Sequence, residues 1–252
     1  MLNAHLSCAG CQMHSGNSWG ITDQGRRRKN NEDAWVADAG LGFAAVADGM
    51  GGEACGEVAS AVTLQVLYSH VAEAGPDSPP NVLVEGARMA NASVRSETAF
   101  RPDCAGMGST LVAVLWRKPT LHVANVGDSR CYLFRKRSLI QLSYDQNLGN
   151  EMRDEMGWTD EHVDHFPQRS VLTAAIGSAP EIPVRETSVG LLPGDLVLLC
   201  SDGLYGPVGD EGIAEILRRG LPPAAALTAL IDAANAAGGP DNITVVLAGE
   251  FF

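Results

Sequence analysis

No apolar run in this 252-residue chain approaches the ~18 residues that a membrane span requires. The longest candidates, such as Leu196 to Cys200, have only the length of a strand. A basic start followed by an apolar stretch is also missing from the N-terminus, so no signal peptide is expected, and the two absences together point to the cytoplasm. Lys and Arg are in deficit: the formal net charge is −12, which argues against sequence-independent nucleic-acid binding. That acidic balance suits a chain that gathers carboxylates around cations, and equally one kept soluble by its charge. The chain has no G-x-x-x-x-G-K-[ST] nucleotide loop, no internal repeat and no long low-complexity linker.

Cysteine is sparse, with six in all. Cys8 and Cys11 form a C-x-x-C near His14, but no second pair completes a zinc site, and residues 1–17 read as a flexible leader. Cys55, Cys104, Cys131 and Cys200 fall singly, without framework spacing, and are expected to be reduced, buried small hydrophobes. Cys131 and Arg137 satisfy C-x5-R. The residues between them lack glycine and read as strand, so they cannot wrap a phosphate with backbone N–H groups, and a cysteine-based phosphatase is rejected.

What is present reads as globular: 45% hydrophobic and 19% charged residues. One domain over residues 18–252 is the economical division. Short apolar, partly β-branched segments bounded by Gly, Pro, Asp or Asn predict strands at Ala34–Ala37, Gly42–Ala47, Thr110–Trp116, Leu121–Val126, Cys131–Arg135, Leu196–Cys200 and Ile243–Leu247. Gly127-Asp128-Ser129-Arg130 joins two of them, which predicts a hairpin. Helices are predicted over Glu53–Ala74, where Val58, Val62 and Val66 recur at i+4 and Leu64, Leu67 and Val71 broaden the stripe, over Pro80–Ala99, and over Asp210–Arg219 and Pro222–Ala237. Strands in hairpins with helices in blocks indicate an α+β fold, two sheets covered by helices. Residues 147–169, rich in charge and poor in apolar anchors, suit an exposed flap over a site.

The informative feature is where the aspartates fall. Asp48 follows Phe43-Ala44-Ala45-Val46-Ala47 and precedes Gly49-Met50-Gly51-Gly52. Asp202 follows the run ending at Cys200-Ser201 and precedes Gly203. Asp241 stands just before Ile243-Thr244-Val245-Val246, and Asp128 occupies the 127–130 turn. Asp-Gly is ordinary turn chemistry at any one of these places. Four at strand ends, with the Glu32-Asp33 pair, instead suggest an all-oxygen site for hard divalent cations. Arg26-Arg27-Arg28-Lys29, just ahead of Glu32-Asp33, offers guanidinium groups suited to a phosphate dianion.

In order along the chain these motifs resemble the metal-dependent protein phosphatases of type 2C. The resemblance rests on Gly25–Asp33, Ala47–Gly52, Gly108-Ser109-Thr110, Asn125–Arg130, Val171–Gly177, Pro193-Gly194-Asp195 through Leu204, and Gly239–Thr244. It implies a four-layer α-β-β-α sandwich with two central antiparallel sheets. It also implies hydrolysis of phosphoserine and phosphothreonine by direct attack of a hydroxide bridging two Mn2+ or Mg2+ ions. Carried over by residue, Asp48 bridges the two ions, the Gly49 carbonyl binds one, and Asp202 and Asp241 complete the second. Glu32 and Asp33 act through bound waters, Arg28 holds the substrate phosphate, and Asp128 helps to bind a third ion. The partners implied are phosphorylated proteins and a cognate Ser/Thr kinase, with the chain a monomer acting away from nucleic acid and membrane. Family members of the animal type carry, where Met50 stands, a histidine assigned to protonating the leaving group, so the likeness is to the bacterial branch. Asp145-Gln146-Asn147 departs from the Asp-His-Ser of relatives and is given no catalytic meaning. The competing reading is an inactive phosphoprotein-binding scaffold, which would be expected to have lost part of the metal set; here Asp48, Asp202 and Asp241 are all intact.

Overall fold

The structure, a computed structural model, describes residues 13–15, 17–51 and 55–249. Among the described residues twelve strands form two six-stranded sheets in which the named pairs are all antiparallel. One sheet runs β1 (Met13–Ser15), β2 (Ser18–Asp23), β12 (Ile243–Gly249), β11 (Leu196–Cys200), β8 (Arg130–Arg135), β9 (Ser138–Gln141). The other runs β10 (Arg185–Gly190), β7 (Thr120–Val126), β6 (Leu111–Arg117), β4 (Phe43–Met50), β3 (Asp33–Asp38), with β5 (Gly108–Ser109) beside the end of β4. Helices α1 (Gly56–Ala74) and α2 (Val82–Phe100) cover the second sheet; α5 (Asp202–Arg218) and α6 (Pro223–Ala236) cover the first. This is the α-β-β-α sandwich.

The strands are apolar almost throughout because both faces are buried, and period-2 alternation sorts their side chains into layers. In β4, Phe43, Ala45 and Ala47 face the helices, while Ala44 and Val46 face the opposite sheet. In β11, Leu198 and Cys200 face α5 and α6, while Val197 and Leu199 pack between the sheets. The same count carries one step further: Asp48 belongs to the series 44, 46, 48 and so takes the inter-sheet face at the strand's end.

Four expectations are corrected. Gly127–Arg130 is not a hairpin, since β7 and β8 lie in different sheets; with Gly127 at φ 88°, this turn carries the chain across the sandwich. Helix α5 begins eight residues earlier than predicted, at Asp202, because the Gly206-Pro207-Val208-Gly209 segment is absorbed as a kink at Gly209 (φ 72°). On α1 the expected Leu64, Leu67 and Val71 are buried, together with Ala59 and Thr63, but Val58, Val62 and Val66 are only partly buried. The helix is wedged between a sheet and α2, and small residues permit that close approach. Finally, Cys55 and Cys104 are not free thiols but a disulfide. They stand 49 residues apart at the open end of the α1–α2 pair, which brings their Cα atoms to 5.4 Å. Cys131 and Cys200 are free and buried, as expected.

Met13–Ser15, within the expected leader, pairs with β2; the rest of that expectation, including Cys8 and Cys11, lies outside the described residues. Strands β2, β5, β9 and β10 were not predicted; β10 is almost wholly exposed, β9 is at most half-buried and β5 has two residues. Residues 147–169 hold two short helices, α3 (Leu148–Met156) and α4 (Asp160–Asp164), capped by Asn147 and by Thr159 with His162. Among the described residues no helix is long and apolar enough to cross a membrane.

Candidate active site

Strand direction decides where the carboxylates meet. β4 and β11 end, and β3 and β12 begin, at the same edge of the sandwich, so Asp48 and Asp33 arrive from one sheet and Asp202 and Asp241 from the other. Asp128 joins them from the crossover after β7. Together with Glu32, Gly49 and Arg28, four of these five (Asp48, Asp128, Asp202 and Asp241) line a cleft of about 530 Å³; Asp33 is buried just beneath it, at 8% exposure. The structure thus brings together every residue that the resemblance assigned to the cations and the phosphate.

Asp33 and Asp48 are register partners across β3 and β4. Cross-strand partners point to one face, so two carboxylates stand directly opposite each other between the sheets, an arrangement that is destabilising without a counter-charge. One oxygen of Asp33 accepts from Ser201 Oγ at 2.7 Å. Its other oxygen, and Oδ1 of Asp202, are buried without a hydrogen-bond partner. Burial and, behind it, the neighbouring Asp202 and Asp241 push Asp33 up to about 7. Burial first and the surrounding aspartates next raise Asp48 well above the carboxylate range. Asp128 is pushed up to about 7 by burial and then by Asp202 and Asp145, and burial with Asp241 raises Asp202. A buried group of carboxylates that repel one another and retain orphaned oxygens fits divalent cations, which would supply the missing charge and accept the free lone pairs. Among the described residues no three acidic, His or Cys side chains close into a cage, so a backbone carbonyl and water would have to complete any shell.

Backbone packing prepares that contribution. A Cβ at Gly49 would overlap the Gly56 carbonyl, and one at Gly203 would overlap the Asn242 carbonyl; both glycines allow segments of the rim to close on each other. Thr110 Oγ1 accepts from Asp48 N at 2.9 Å and lies 2.7 Å from Ser129 Oγ, tying the Asp48 strand to the Asp128 turn. Arg28 Nη2 donates to Asp241 Oδ2 at 2.5 Å from a side chain that is about half exposed. Met50 stands on the cleft wall, 37% exposed.

Several positioning residues were missed by the sequence reading. Asn242 accepts from Glu32 N and donates to the carbonyls of Gln24 and Asn30, stitching the arginine-bearing loop to β12. Arg130 makes a bidentate pair with buried Asp145 and stacks 3.7 Å over the Tyr205 ring, while Tyr205 donates to the Asp128 carbonyl. Gln146 Oε1 accepts from Gly127 N. Asp145-Gln146-Asn147 therefore braces the Asp128 turn and caps α3. Buried polar residues beside glycine-rich turns were the available signal. Cys131 is fully buried in the inter-sheet core and does not line the cleft, in line with rejection of a cysteine nucleophile.

Comparison with known proteins meets this geometry. Residues 10–155 match the family profile described as Protein phosphatase 2C. The chain belongs to the protein phosphatase 2C family. Family members depend on Mn2+ or Mg2+. The serine/threonine protein phosphatase PstP of Mycobacterium tuberculosis is 39% identical over 232 residues, 90% of this chain. The chain spans 43% of the length of that relative. The serine/threonine phosphatase stp of Listeria monocytogenes is 33% identical over 90% of this chain and 92% of its own length. The crystal structure of the PstP catalytic domain in complex with two manganese ions superposes with a TM-score of 0.80 at 36% identity, covering 92% of this chain and 96% of that one.

Proposed function

We propose that this chain is an active protein serine/threonine phosphatase that hydrolyses phosphoserine and phosphothreonine in proteins. The observation that carries this reading is the face-to-face pair Asp33–Asp48, met at the same edge by Asp202 and Asp241 from the other sheet. Asp48, Asp202, Asp241 and the Gly49 carbonyl would hold two cations, with Glu32 and Asp33 reaching them through water and Asp128 serving a third. When bound, Mn2+ or Mg2+ supplies charge neutralisation and activates water for attack at neutral pH.

The chain's own residues do the rest. Arg28, already facing Asp241 across the cleft mouth, turns its guanidinium to the phosphate dianion and orients it. No side chain is needed as nucleophile. Met50 has no proton to give a departing alkoxide, so that proton comes from water held near Asp128. Residues 147–169 lead directly into Ser170 and Leu172 on the cleft wall and act as the flap that meets the protein substrate. An inactive scaffold is disfavoured, because an evolved binding site has no use for an unpaired, mutually repelling carboxylate set. The same reading makes a cognate Ser/Thr kinase the source of the substrates and the cytoplasm the compartment.

Phosphate release from a phosphothreonine peptide, with added Mn2+ and again after metal stripping with excess chelator, tests the proposal. Activity only with Mn2+ is expected. Full activity in chelator, or none at any Mn2+ concentration, overturns it.

A further inference from the structure

The Cys55–Cys104 bridge has no part in the reaction above, yet it sits behind the cation site. Cys55 immediately precedes Gly56, the first residue of α1. A Cβ on Gly56 would stand 2.7 Å from the Glu32 carboxyl carbon and 2.8 Å from the Gly49 carbonyl oxygen. Cys104 ends the short turn Pro102–Cys104 that follows α2, and its carbonyl accepts from Met107 N at 3.0 Å. Met107 packs under Gly51, where a Cβ would be 2.7 Å from Met107 Cα. The next two residues form β5, paired as Gly49↔Ser109 and Met50↔Gly108. The bridge thus clamps, from behind, the two segments whose meeting forms the Gly49–Gly51 rim.

A second observation concerns what holds the loop. From residue 99 to residue 106 every side chain is exposed except that of Cys104. Its one buried anchor is therefore the residue bonded to Cys55. The two remaining described cysteines are different in kind. Cys131 faces the inter-sheet core and Cys200 faces α5 and α6, so they lie on opposite sides of their sheet and cannot pair; burial holds both thiols above their ordinary range.

We infer that Cys55 and Cys104 form a reversible thiol–disulfide site that sets how firmly the Gly49–Gly51 rim holds divalent cations. The inference rests on the reading of that rim as part of the cation site. A small disulfide such as oxidised glutathione closes the bridge. One protein thiolate attacks it and releases one glutathione thiol; the other displaces the second from the mixed disulfide, so two protein thiols are oxidised and one small disulfide is reduced to two thiols. A dithiol reverses the exchange. Because the bridge closes a loop of 49 residues, opening it frees the loop after α2 and loosens the start of α1 against Glu32 and Gly49.

The test uses the full chain with Cys8→Ser and Cys11→Ser, prepared with oxidised glutathione, with dithiothreitol, and as the additional double variant Cys55→Ser/Cys104→Ser. Non-reducing peptide mapping, the Tm without metal, calorimetric Mn2+ titration and phosphopeptide turnover are measured on each. A Cys55–Cys104 linked peptide is expected only in the oxidised sample. Reduction should lower the Tm by roughly 5–15 °C and weaken Mn2+ binding at least about three-fold, a shift of about 0.6 kcal/mol. The double variant should match the reduced protein and ignore dithiothreitol; if it does not fold, the oxidised and reduced parent samples carry the comparison alone. Absence of the linked peptide overturns the inference, as does equal Mn2+ affinity in the two states. Absent turnover with the peptide, Tm and Mn2+ shifts intact would instead count against the proposed phosphatase activity and leave the redox site standing.

Discussion

The two ends of the sandwich are built by the same strands and open into inter-sheet clefts of similar size, about 530 Å³ beside Asp48 and about 630 Å³ beside Trp116. They treat charge in opposite ways. At the Trp116 end Asp195 is held by Arg135, which keeps its carboxyl below the usual range against the cost of burial. Arg117 there donates to the carbonyls of Ser78, Leu41 and Trp116 and to Ser78 Oγ. At the Asp48 end carboxylates face one another, orphaned oxygens remain, and Arg28 at the rim donates to Asp241. One end is finished as structure, and the other is left incomplete in a way that a cation and a phosphate would complete. Local unsatisfied charge, and not cavity size, marks the functional end.

The sharpest way to break this contrast is at Asp48. Asp48→Asn should reduce Mn2+-dependent turnover by roughly 10³-fold or more, while raising the Tm of the metal-free protein because one repelling charge is gone. Loss of both activity and metal-free stability would make Asp48 a structural residue. Arg28→Ala should lower kcat/KM on a phosphopeptide by about ten- to hundred-fold, the effect of losing a charge-assisted contact of about 1.5–3 kcal/mol, with Mn2+ affinity little changed. An unchanged kcat/KM returns the arginine run to plain surface.

At Asp128 the effect should depend on the substrate. Asp128→Ala should lose most turnover, about ten-fold, on phosphopeptides and distinctly less on an aryl phosphate, whose leaving group needs little protonation; equal losses on both would argue against assistance to the leaving group. The opposite end supplies the control. Arg117→Ala leaves several carbonyls without a donor and should cost about 2–3 kcal/mol of stability, lowering the Tm by roughly 4–12 °C with kcat/KM intact. A catalytic defect in that variant would dissolve the division between the two ends.

Titration gives the smallest effect. In the metal-free protein Asp33 and Asp128 are pushed up to about 7 from an ordinary 3.8, so the folded state keeps protons that the unfolded chain has released. That contribution to stability is complete below about pH 4 and is lost as pH rises through about 7. The metal-free Tm should therefore fall from about pH 5 to about pH 8, and saturating Mn2+ should flatten the fall. A metal-free profile that rises over this range would contradict the crowding seen between Asp33 and Asp48.

Much of this was local and therefore legible in the chain. Strand runs buried on both faces are continuous in β-branched and small apolar residues, so β4, β6, β7, β8, β11 and β12 were found within a few residues. An aspartate next to glycine or asparagine at the end of such a run is visible without any fold, which is why Asp48, Asp202 and Asp241 stood out. Other features depend on residues far apart. Whether Gly127–Arg130 turns back within a sheet or crosses to the other is decided by which strands β7 and β8 find, β6 with β10 in one case and β11 with β9 in the other. That Cys55 meets Cys104, that Asp33 confronts Asp48, and that Asn242 holds Glu32 across 210 positions likewise follow from packing. The sequence by itself determined the carboxylate inventory and the alternation that aims Asp48 between the sheets, because both repeat over two to four residues. Only the tertiary structure decided which carboxylates share a face and which cysteines share a bond, because those distances are set by how two sheets and four covering helices bury their apolar sides together.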